Sequence, residues 1–254
     1  MKDINGNKIK VLSIGNSFSR NAQTYLHKIA EADGVDMIVA NLYIGGCPLE
    51  LHWMNASTDN KAYLYTKTYV EPREAATIKE ALIDEEWDYV TFQQKSGYSG
   101  LVETYFPYLT NLIEYVKEYA PSACHVIHQT WAYQEGCDWE GFSFYGRSQK
   151  RMFQALKKAY GFASERTGID MILPVGEAFQ IARERLGDCL CLEDKSHAAA
   201  NGCYLAGCVW YEVLTGNLVK DNFFVPEEVA LDQIPILKAC AHEAVSLYRN
   251  GYPK

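Results

Sequence analysis

The chain has 254 residues, of which 48% are hydrophobic and 22% are charged, a composition typical of a globular protein with a sizeable core. Its net charge of −8 argues against functions that depend on neutralising nucleic-acid phosphates, because no basic excess is present. No apolar stretch is long enough to cross a bilayer. We therefore expect neither a nucleic-acid partner nor a membrane partner.

The first ten residues, MKDINGNKIK, are polar and run directly into the first predicted strand, so we expect a cytoplasmic protein without a signal peptide. A leader removed before the first residue would leave the same pattern. Eight cysteines in a reducing compartment are expected to be mostly free thiols. Several of them lie in apolar periodic segments, where a thiol behaves as a small hydrophobic group: Cys124, Cys203, Cys208 and Cys240.

Short apolar runs alternate with longer stretches of helical period, which predicts an α/β fold with a parallel sheet covered by helices on both faces. The predicted strands are 10–14, 36–43, 87–93, 124–131 and 169–175. The predicted helices between them are 20–32, 73–84, 101–119, 145–167 and 176–186. A further helix is predicted from after Ser196 to Gly216, and Pro226 is expected to open a last one. Because no linker or repeat divides the chain, residues 1–254 are expected to form a single domain.

The stretch IGNSFS follows the first predicted strand, at the place where functional groups gather in open parallel sheets. Gly15 permits a tight turn or a close backbone approach. Ser17 stands at the start of the next predicted helix and is a candidate nucleophile. The alternative is that Asn16, Ser17 or Ser19 only caps this helix.

A serine nucleophile needs a base, and His197 is the strongest candidate among six histidines. Asp194 precedes it by three residues at the start of a predicted helix, so the carboxylate can accept from one ring nitrogen while the other takes the hydroxyl proton. A helix cap with surface charge is the alternative. The remaining histidines have structural explanations, with His52 a minor candidate: His27, His52, His125, His128 and His242.

Three blocks in chain order resemble those of the SGNH, or GDSL-like, hydrolase superfamily. They are GNSFS with Ser17, IGGCPLELHW with Gly46, and DKSHAAANGCYLAG with Asp194 and His197. Asn16 stands where many members have aspartate. The third block of the superfamily, Gly-x-Asn-Asp, is replaced by VTFQQKSG. A glutamine amide can replace an asparagine amide as a donor, so Gln93 is the candidate there and Gln94 the reserve.

The resemblance implies a three-layer α/β/α sandwich with a flavodoxin-like, five-stranded parallel sheet, and ester hydrolysis through an acyl-enzyme without metal or cofactor. Ser17 would be the nucleophile, His197 the base and Asp194 its partner. The amides of Ser17 and Gly46 and the side chain of Gln93 would form the oxyanion hole. Further contacts to substrate are expected from Asn16, Gln94 and Trp131.

Aromatic residues are abundant beyond the predicted strand ends, and flat rings with polar edges suit sugar faces. These are Trp53, Tyr98, Trp131, Tyr133, Trp139 and Phe142. Several relatives in the superfamily deacetylate carbohydrates, so the expected substrate is a small-molecule or glycan ester, with an O-acetyl group on a carbohydrate preferred.

Two other interpretations remain open from the sequence. The altered third block is compatible with an SGNH fold that binds a glycan without cleaving it. The stretch CLCLEDKSHAAANGC is also compatible with a zinc-binding module, whose ligands would be Cys189, Cys191, His197 and Cys203, although the spacing differs from paired Cys-x-x-Cys sites.

Overall fold

The structure, a computed structural model, describes residues 8–251. Residues 1–7, which hold most of the polar segment behind the signal-peptide prediction, and residues 252–254 at the end of the predicted domain lie outside the described residues. The strands are β1 (Ile9–Gly15), β2 (Met37–Tyr43), β3 (Tyr63–Lys67), β4 (Val70–Ala76), β5 (Tyr89–Phe92), β6 (Cys124–His128) and β7 (Ile172–Leu173). The helices are α1 (Ser17–Gln23), α2 (Leu26–Ala32), α3 (Leu49–Ser57), α4 (Ile78–Leu82), α5 (Tyr108–Tyr119), α6 (Glu140–Ser143), α7 (Gln149–Thr167), α8 (Val175–Leu186), α9 (Ala200–Thr215) and α10 (Ile234–Arg249).

One sheet with the strand order β4-β3-β2-β1-β5-β6-β7 forms the centre of the fold. Strands β2, β1, β5, β6 and β7 run parallel, and they are the five strands predicted from the sequence. In this order the sheet is doubly wound, and the strand order reverses between β1 and β5. Ligands bind beyond the carboxyl ends of the strands at such a reversal, so the fold directs attention to the residues after β1 and β5.

The predicted number of strands was wrong, because the sheet formed by residues 8–251 has seven strands rather than five. Strand β3 runs antiparallel to β2, and β4 antiparallel to β3. The sequence of β4, VEPREAA, is exposed along most of its length and carries charges and Pro72, which are features of a protected edge strand. Because this polar stretch has no apolar strand pattern, the sequence places its second half in the helix predicted at 73–84, of which only Ile78–Leu82 is helical.

Other helix boundaries differ from the predictions. The helix predicted at 20–32 is divided into α1 and α2, and α3 was not predicted at all. The helix predicted after Ser196 begins at Ala200 and ends, as expected, at Gly216, where φ of +79° suits glycine. The last helix begins at Ile234, well beyond Pro226. The carboxyl ends of β1, β2 and β5 nevertheless lie within one residue of their predicted positions.

Helix α9 is buried on nearly all sides and packs against α1, α2, α8 and α10. Two glycines permit this close packing. A Cβ at Gly207 would lie 3.1 Å from Ile29 Cδ1 of α2, and a Cβ at Gly202 would collide with the carbonyl oxygen of Leu190. Gly202 therefore allows the loop before α9 to fold onto the first turn of that helix, close to α1.

All eight cysteines are free thiols in this structure. Within residues 8–251, no helix combines the length and the apolar character that a membrane span requires.

Candidate active site

Ser17 is the first residue of α1 and follows directly on the carboxyl end of β1. The cap of this helix is Asn16, whose Oδ1 accepts a hydrogen bond from the backbone N–H of Phe18 at 3.1 Å. Ser19 is buried and donates to the carbonyl oxygen of Asn16 at 2.8 Å. Because Asn16 caps the helix, the hydroxyl of the half-buried Ser17 is available for another partner.

That partner is His197, whose Nε2 lies 2.8 Å from Oγ of Ser17. Nδ1 of the same ring lies 2.5 Å from Oδ2 of Asp194. A carboxylate only accepts hydrogen bonds, so Nδ1 carries the ring proton and Nε2 is left to accept from the Ser17 hydroxyl. Residues 180 positions apart in the chain are therefore joined in one hydrogen-bonded row, Ser17 to His197 to Asp194.

Asp194 is held as an ionised acceptor by its own loop. Its Oδ1 accepts from the backbone N–H groups of Ser196 and His197, both at 3.0 Å. Partial burial by itself raises the pKa of this carboxyl, but the hydrogen bonds from the His197 ring and from these two N–H groups outweigh it and lower the pKa below its usual value. Asp194 is therefore ionised at neutral pH.

The loop that carries His197 is tied to the rest of the fold by its backbone. Leu192 N–H donates to the carbonyl of His197 at 2.8 Å, and Cys191 pairs with Ala198 in an isolated antiparallel bridge. The indole N–H of Trp131 donates to the carbonyl of Ser196 at 2.9 Å. These bonds fix the position of the imidazole with respect to α1.

Trp131 is fully buried, and this contradicts the predicted contact with substrate. Its ring stacks between Phe18, with ring centroids 4.1 Å apart, and Phe179, with ring centroids 4.6 Å apart. Neither face is accessible to a ligand. The role of Trp131 is to hold the His197 loop in place through its hydrogen bond to the carbonyl of Ser196.

Trp139 lies beside the imidazole of His197 and reaches the surface. Its ring meets that of His197 edge to face, with centroids 5.5 Å apart, and its side chain is 44% exposed. Of the six aromatic residues named from the sequence, all within the described chain, Trp139 alone combines contact with His197 and surface exposure. Trp131, Tyr133 and Phe142 are buried, and Trp53 and Tyr98 are half-buried.

Asn16 connects the other two blocks to the nucleophile. Its Nδ2 donates to the carbonyl of Cys47 at 3.2 Å, and its Oδ1 accepts from Nε2 of Gln93 at 2.6 Å. Gly46, which precedes Cys47, is exposed and has φ of +60°, in the region that favours glycine. The turn after β2 and the end of β5 are thus both attached to the residue beside Ser17. Asn16 itself is buried and holds these segments beside Ser17, and its contact with substrate stays a prediction.

Both ends of the Gln94 side-chain amide are hydrogen-bonded to the surrounding loops. Its Nε2 donates to the carbonyl and the hydroxyl of Thr104 at 2.9 and 3.0 Å. Its Oε1 accepts from the N–H groups of Leu49 and Lys95 at 3.0 and 2.8 Å. With both amide hydrogens used and the side chain buried, Gln94 can neither donate to an oxyanion nor touch substrate, so both predictions for it are wrong.

Gln93 differs from its neighbour. One hydrogen of its Nε2 is given to Asn16, and the other has no acceptor among residues 8–251. Its Oε1 lies 2.6 Å from Nδ1 of His128, a residue for which the sequence suggested only a structural role. His128 ends β6, the neighbour of β5 in the sheet, so only the strand order, which the sequence does not reveal, would have linked it to this site.

The other histidines lie outside the hydrogen-bonded row of Ser17, His197 and Asp194. Burial lowers the pKa of both His52 and His128 to about 3, so both rings are neutral at ordinary pH. His52, the minor candidate base, pairs through Nδ1 with the hydroxyl of Tyr63 at 2.9 Å. His242 lies 2.8 Å through Nδ1 from the buried carboxylate of Glu212. None of these three histidines hydrogen-bonds to a serine within the described chain.

The proposed zinc ligands do not form a metal centre. Both ring nitrogens of His197 are engaged by Ser17 and Asp194, and Cys191 Sγ lies 3.8 Å from a guanidinium nitrogen of Arg183. In the part of the chain that the structure describes, no group of three or more His, Cys, Asp or Glu residues could hold a metal ion. The zinc interpretation is therefore wrong.

Comparison with known proteins agrees with this fold. A solved structure of a DUF4886 family protein from Bacteroides uniformis ATCC 8492 has a TM-score of 0.92 and 37% sequence identity, covering 96% of this chain and 97% of that one. A protein from Parabacteroides merdae ATCC 43184 described as a GDSL-like lipase has a TM-score of 0.56 at 17% identity over 84% of this chain and 99% of its own. An acetylxylan esterase from Geobacillus stearothermophilus has a TM-score of 0.56 at 12% identity over 82% and 94%.

The two low-identity likenesses show a shared fold, the α/β fold of GDSL-like esterases with its parallel-dominated sheet. No functionally curated protein matches the chain. A family model described as a domain of unknown function, DUF4886, matches residues 10–244. With this match and the 37% identity to a solved member, the chain belongs to the DUF4886 family.

Proposed function

We propose that this protein is a serine ester hydrolase that acts through an acyl-enzyme on Ser17 and removes O-acetyl groups from a carbohydrate or a related small ester. The observation that carries the proposal is the row of two hydrogen bonds, 2.8 Å from Ser17 Oγ to His197 Nε2 and 2.5 Å from His197 Nδ1 to Asp194. These are the contacts that general-base activation of a hydroxyl requires.

In the first half of the reaction Ser17 Oγ attacks the acyl carbon while Nε2 of His197 takes the hydroxyl proton. The tetrahedral intermediate then breaks its bond to the alcohol oxygen, which receives that proton from His197. In the second half, water gives a proton to His197, attacks the acyl carbon and releases the carboxylic acid, and the proton returns to Ser17. Asp194, ionised at neutral pH, stabilises the imidazolium formed in each half.

Three donors are available for the oxyanion of the tetrahedral intermediate. The backbone N–H of Ser17 stands at the first position of α1, where it has no acceptor within the helix. The second hydrogen of Gln93 Nε2 has no acceptor in the part of the chain that the structure describes. The third donor is the backbone N–H of the exposed Gly46, in the turn that Asn16 holds beside Ser17. We assign the oxyanion hole to Ser17, Gly46 and Gln93, without Gln94.

The substrate class rests on the surroundings of His197. The exposed ring of Trp139 beside the imidazole offers a flat, partly polar face of the kind that packs on sugar rings. One of the proteins that share the fold is an acetylxylan esterase, which supports the same class. The net charge of −8 disfavours a polyanionic substrate.

The test is hydrolysis of 4-nitrophenyl acetate and of a panel of acetylated mono- and oligosaccharides by the wild type and by Ser17→Ala. The proposal predicts turnover by the wild type only, with higher kcat/KM for an acetylated sugar than for simple acetate esters. Trp139→Ala should raise KM for the sugar and leave turnover of 4-nitrophenyl acetate nearly unchanged. Binding of glycans without release of acetate would instead support the interpretation as a non-catalytic glycan-binding protein.

A further inference from the structure

A row of buried, hydrogen-bonded side chains crosses the carboxyl ends of three neighbouring strands. Asn16 follows β1, Gln93 follows β5 and His128 ends β6, and these strands are adjacent in the sheet. Gln93 lies 2.6 Å from Asn16 on one side and 2.6 Å from His128 on the other. The exposed fractions of Asn16, Gln93 and His128 are 1, 2 and 0%, so water does not compete for these bonds.

Backbone groups determine the direction of every bond in this row. The N–H of Phe18 can only donate, so it fixes the oxygen of the Asn16 amide on its side, and the carbonyl of Cys47 can only accept, so it fixes the nitrogen. Asn16 therefore presents Oδ1 to Gln93, and Gln93 donates a hydrogen bond to it from Nε2. This leaves Oε1 of Gln93 facing His128, whose Nδ1 must carry the hydrogen.

The surroundings of the His128 ring favour one protonation state and one tautomer. Its Nε2 is buried without a hydrogen-bond partner among residues 8–251, and burial keeps the ring neutral. The nearest indole, Trp210, meets the ring edge to face with centroids 5.0 Å apart, and its own buried N–H is likewise without a partner in the described chain. Among the described residues, no hydrogen-bond partner of this ring stabilises a second proton or the other tautomer.

We propose that His128 is a positioning residue for the oxyanion hole, which holds Oε1 of Gln93 so that the unused N–H of Gln93 is aimed at the oxyanion beside Ser17. This inference rests on the proposed function. A glutamine side chain has one more rotatable bond than an asparagine and loses more conformational freedom when it is ordered. Bonds at both ends of the amide, to Asn16 and to His128, supply the order that a preorganised donor requires.

The kinetic test compares three substitutions at one position. His128→Phe keeps a ring but removes the donor, and kcat for 4-nitrophenyl acetate should fall about 100-fold with little change in KM, the loss typical of a displaced oxyanion donor. His128→Asn places an N–H near the position of Nδ1 and should recover most of kcat. His128→Gln places its N–H near the position of Nε2 and should resemble His128→Phe. Equal kcat for the Asn and Phe variants would overturn the proposal.

A double-mutant cycle separates positioning from a general structural role. In a Gln93→Ala background there is no amide left to position, so adding His128→Phe should lower kcat less than twofold further. A structural role would reduce kcat by a similar factor in both backgrounds, and that result would overturn the proposal. Thermal unfolding of each variant identifies any that fail to fold.

Nitrogen-15 NMR of the wild-type imidazoles tests the geometry without any variant. The signals of His128 should show a neutral ring protonated on Nδ1 from pH 8 to pH 5, and a ring protonated on Nε2 would overturn the proposal. A wild-type protein without esterase activity would instead refute the proposed function. An active wild type with equal Asn and Phe variants at position 128 would refute only the positioning role.

Discussion

Two histidines near the carboxyl edge of the sheet have opposite surroundings. His197 is partly exposed, has a carboxylate on Nδ1 and a serine hydroxyl on Nε2. His128 is fully buried, has a neutral amide oxygen on Nδ1 and no partner on Nε2 within the described chain. A proton added to His197 is balanced by Asp194, whereas a proton added to His128 meets no charged hydrogen-bond partner in the described part of the chain.

The difference shows which imidazole can take part in proton transfer. A general base must change its protonation state during turnover, and only the ring beside a carboxylate and a hydroxyl can do so at low energy. The buried ring is restricted to donating one hydrogen bond. A histidine in this region can therefore be identified as a general base only when the partners of both of its ring nitrogens are known.

The largest effect is expected from removing either end of the Ser17 to His197 bond. Ser17→Ala and His197→Ala should each lower kcat by a factor on the order of 10⁶, because the two groups act as a unit, and the double variant should be no worse than either single one. Steady-state kinetics on 4-nitrophenyl acetate measures this. Additive losses would show that the two residues do not act together.

Asp194→Asn tests the counter-charge. The amide cannot stabilise an imidazolium and favours the wrong tautomer, so kcat should fall about 10⁴-fold with a retained fold. The matched control is Glu212→Gln, which alters the carboxylate that pairs with His242 at 2.8 Å without a serine partner. This control should lower stability and leave kcat within a few-fold of the wild type. Equal kinetic losses in both variants would remove the distinction between the two pairs.

Gln93→Ala and Gln94→Ala compare adjacent amides, one with an unused N–H and one without. The first should lower kcat by about 10²- to 10³-fold, the effect of losing one oxyanion donor. The second leaves buried groups of Leu49, Lys95 and Thr104 unpaired and should lower the free energy of unfolding by about 1–3 kcal/mol, with kcat changed less than tenfold. Kinetics and urea denaturation of both variants decide between these outcomes.

The buried state of His128 also predicts a pH dependence of stability. Its pKa is about 3 in the folded chain and 6.5 when unfolded, so below pH 6.5 the unfolded state binds a proton that the folded state does not. Its share of stability is intact above pH 6.5 and falls by about 2 kcal/mol between pH 7 and pH 5. Urea denaturation of the wild type and of His128→Asn measures this change in the free energy of unfolding between pH 7 and pH 5. It should be smaller in the variant by the contribution of one histidine, about 2 kcal/mol. An equal change in both proteins would contradict the neutral, buried ring.

The sequence predicted the parts of the molecule that depend on local pattern. All five parallel strands were located from apolar runs, and the α/β class follows from their alternation with helices. Asp194 and His197 were paired from their spacing, because residues three apart at a helix entry lie close together in any fold. Strand β4 was missed because its charges and Pro72 protect an edge and leave no apolar pattern.

The parts that were missed depend on packing across the sheet. Trp131 is an aromatic residue just beyond a strand, and only its stacking between Phe18 and Phe179 shows that no ligand can reach it. Gln93 and Gln94 are identical in type and adjacent, and their roles diverge because one meets Asn16 and His128 while the other meets Thr104. Such partners come from strand order, which a single sequence does not contain.

Activation of the Ser17 hydroxyl by His197 is tested most directly by labelling with a fluorophosphonate, followed by mass spectrometry of the modified peptide. Activated serine hydroxyls react with this probe, whereas ordinary ones do not. We expect stoichiometric modification of Ser17 in the wild type and almost none in His197→Ala. An unlabelled wild type, or a label on any other serine, would contradict it.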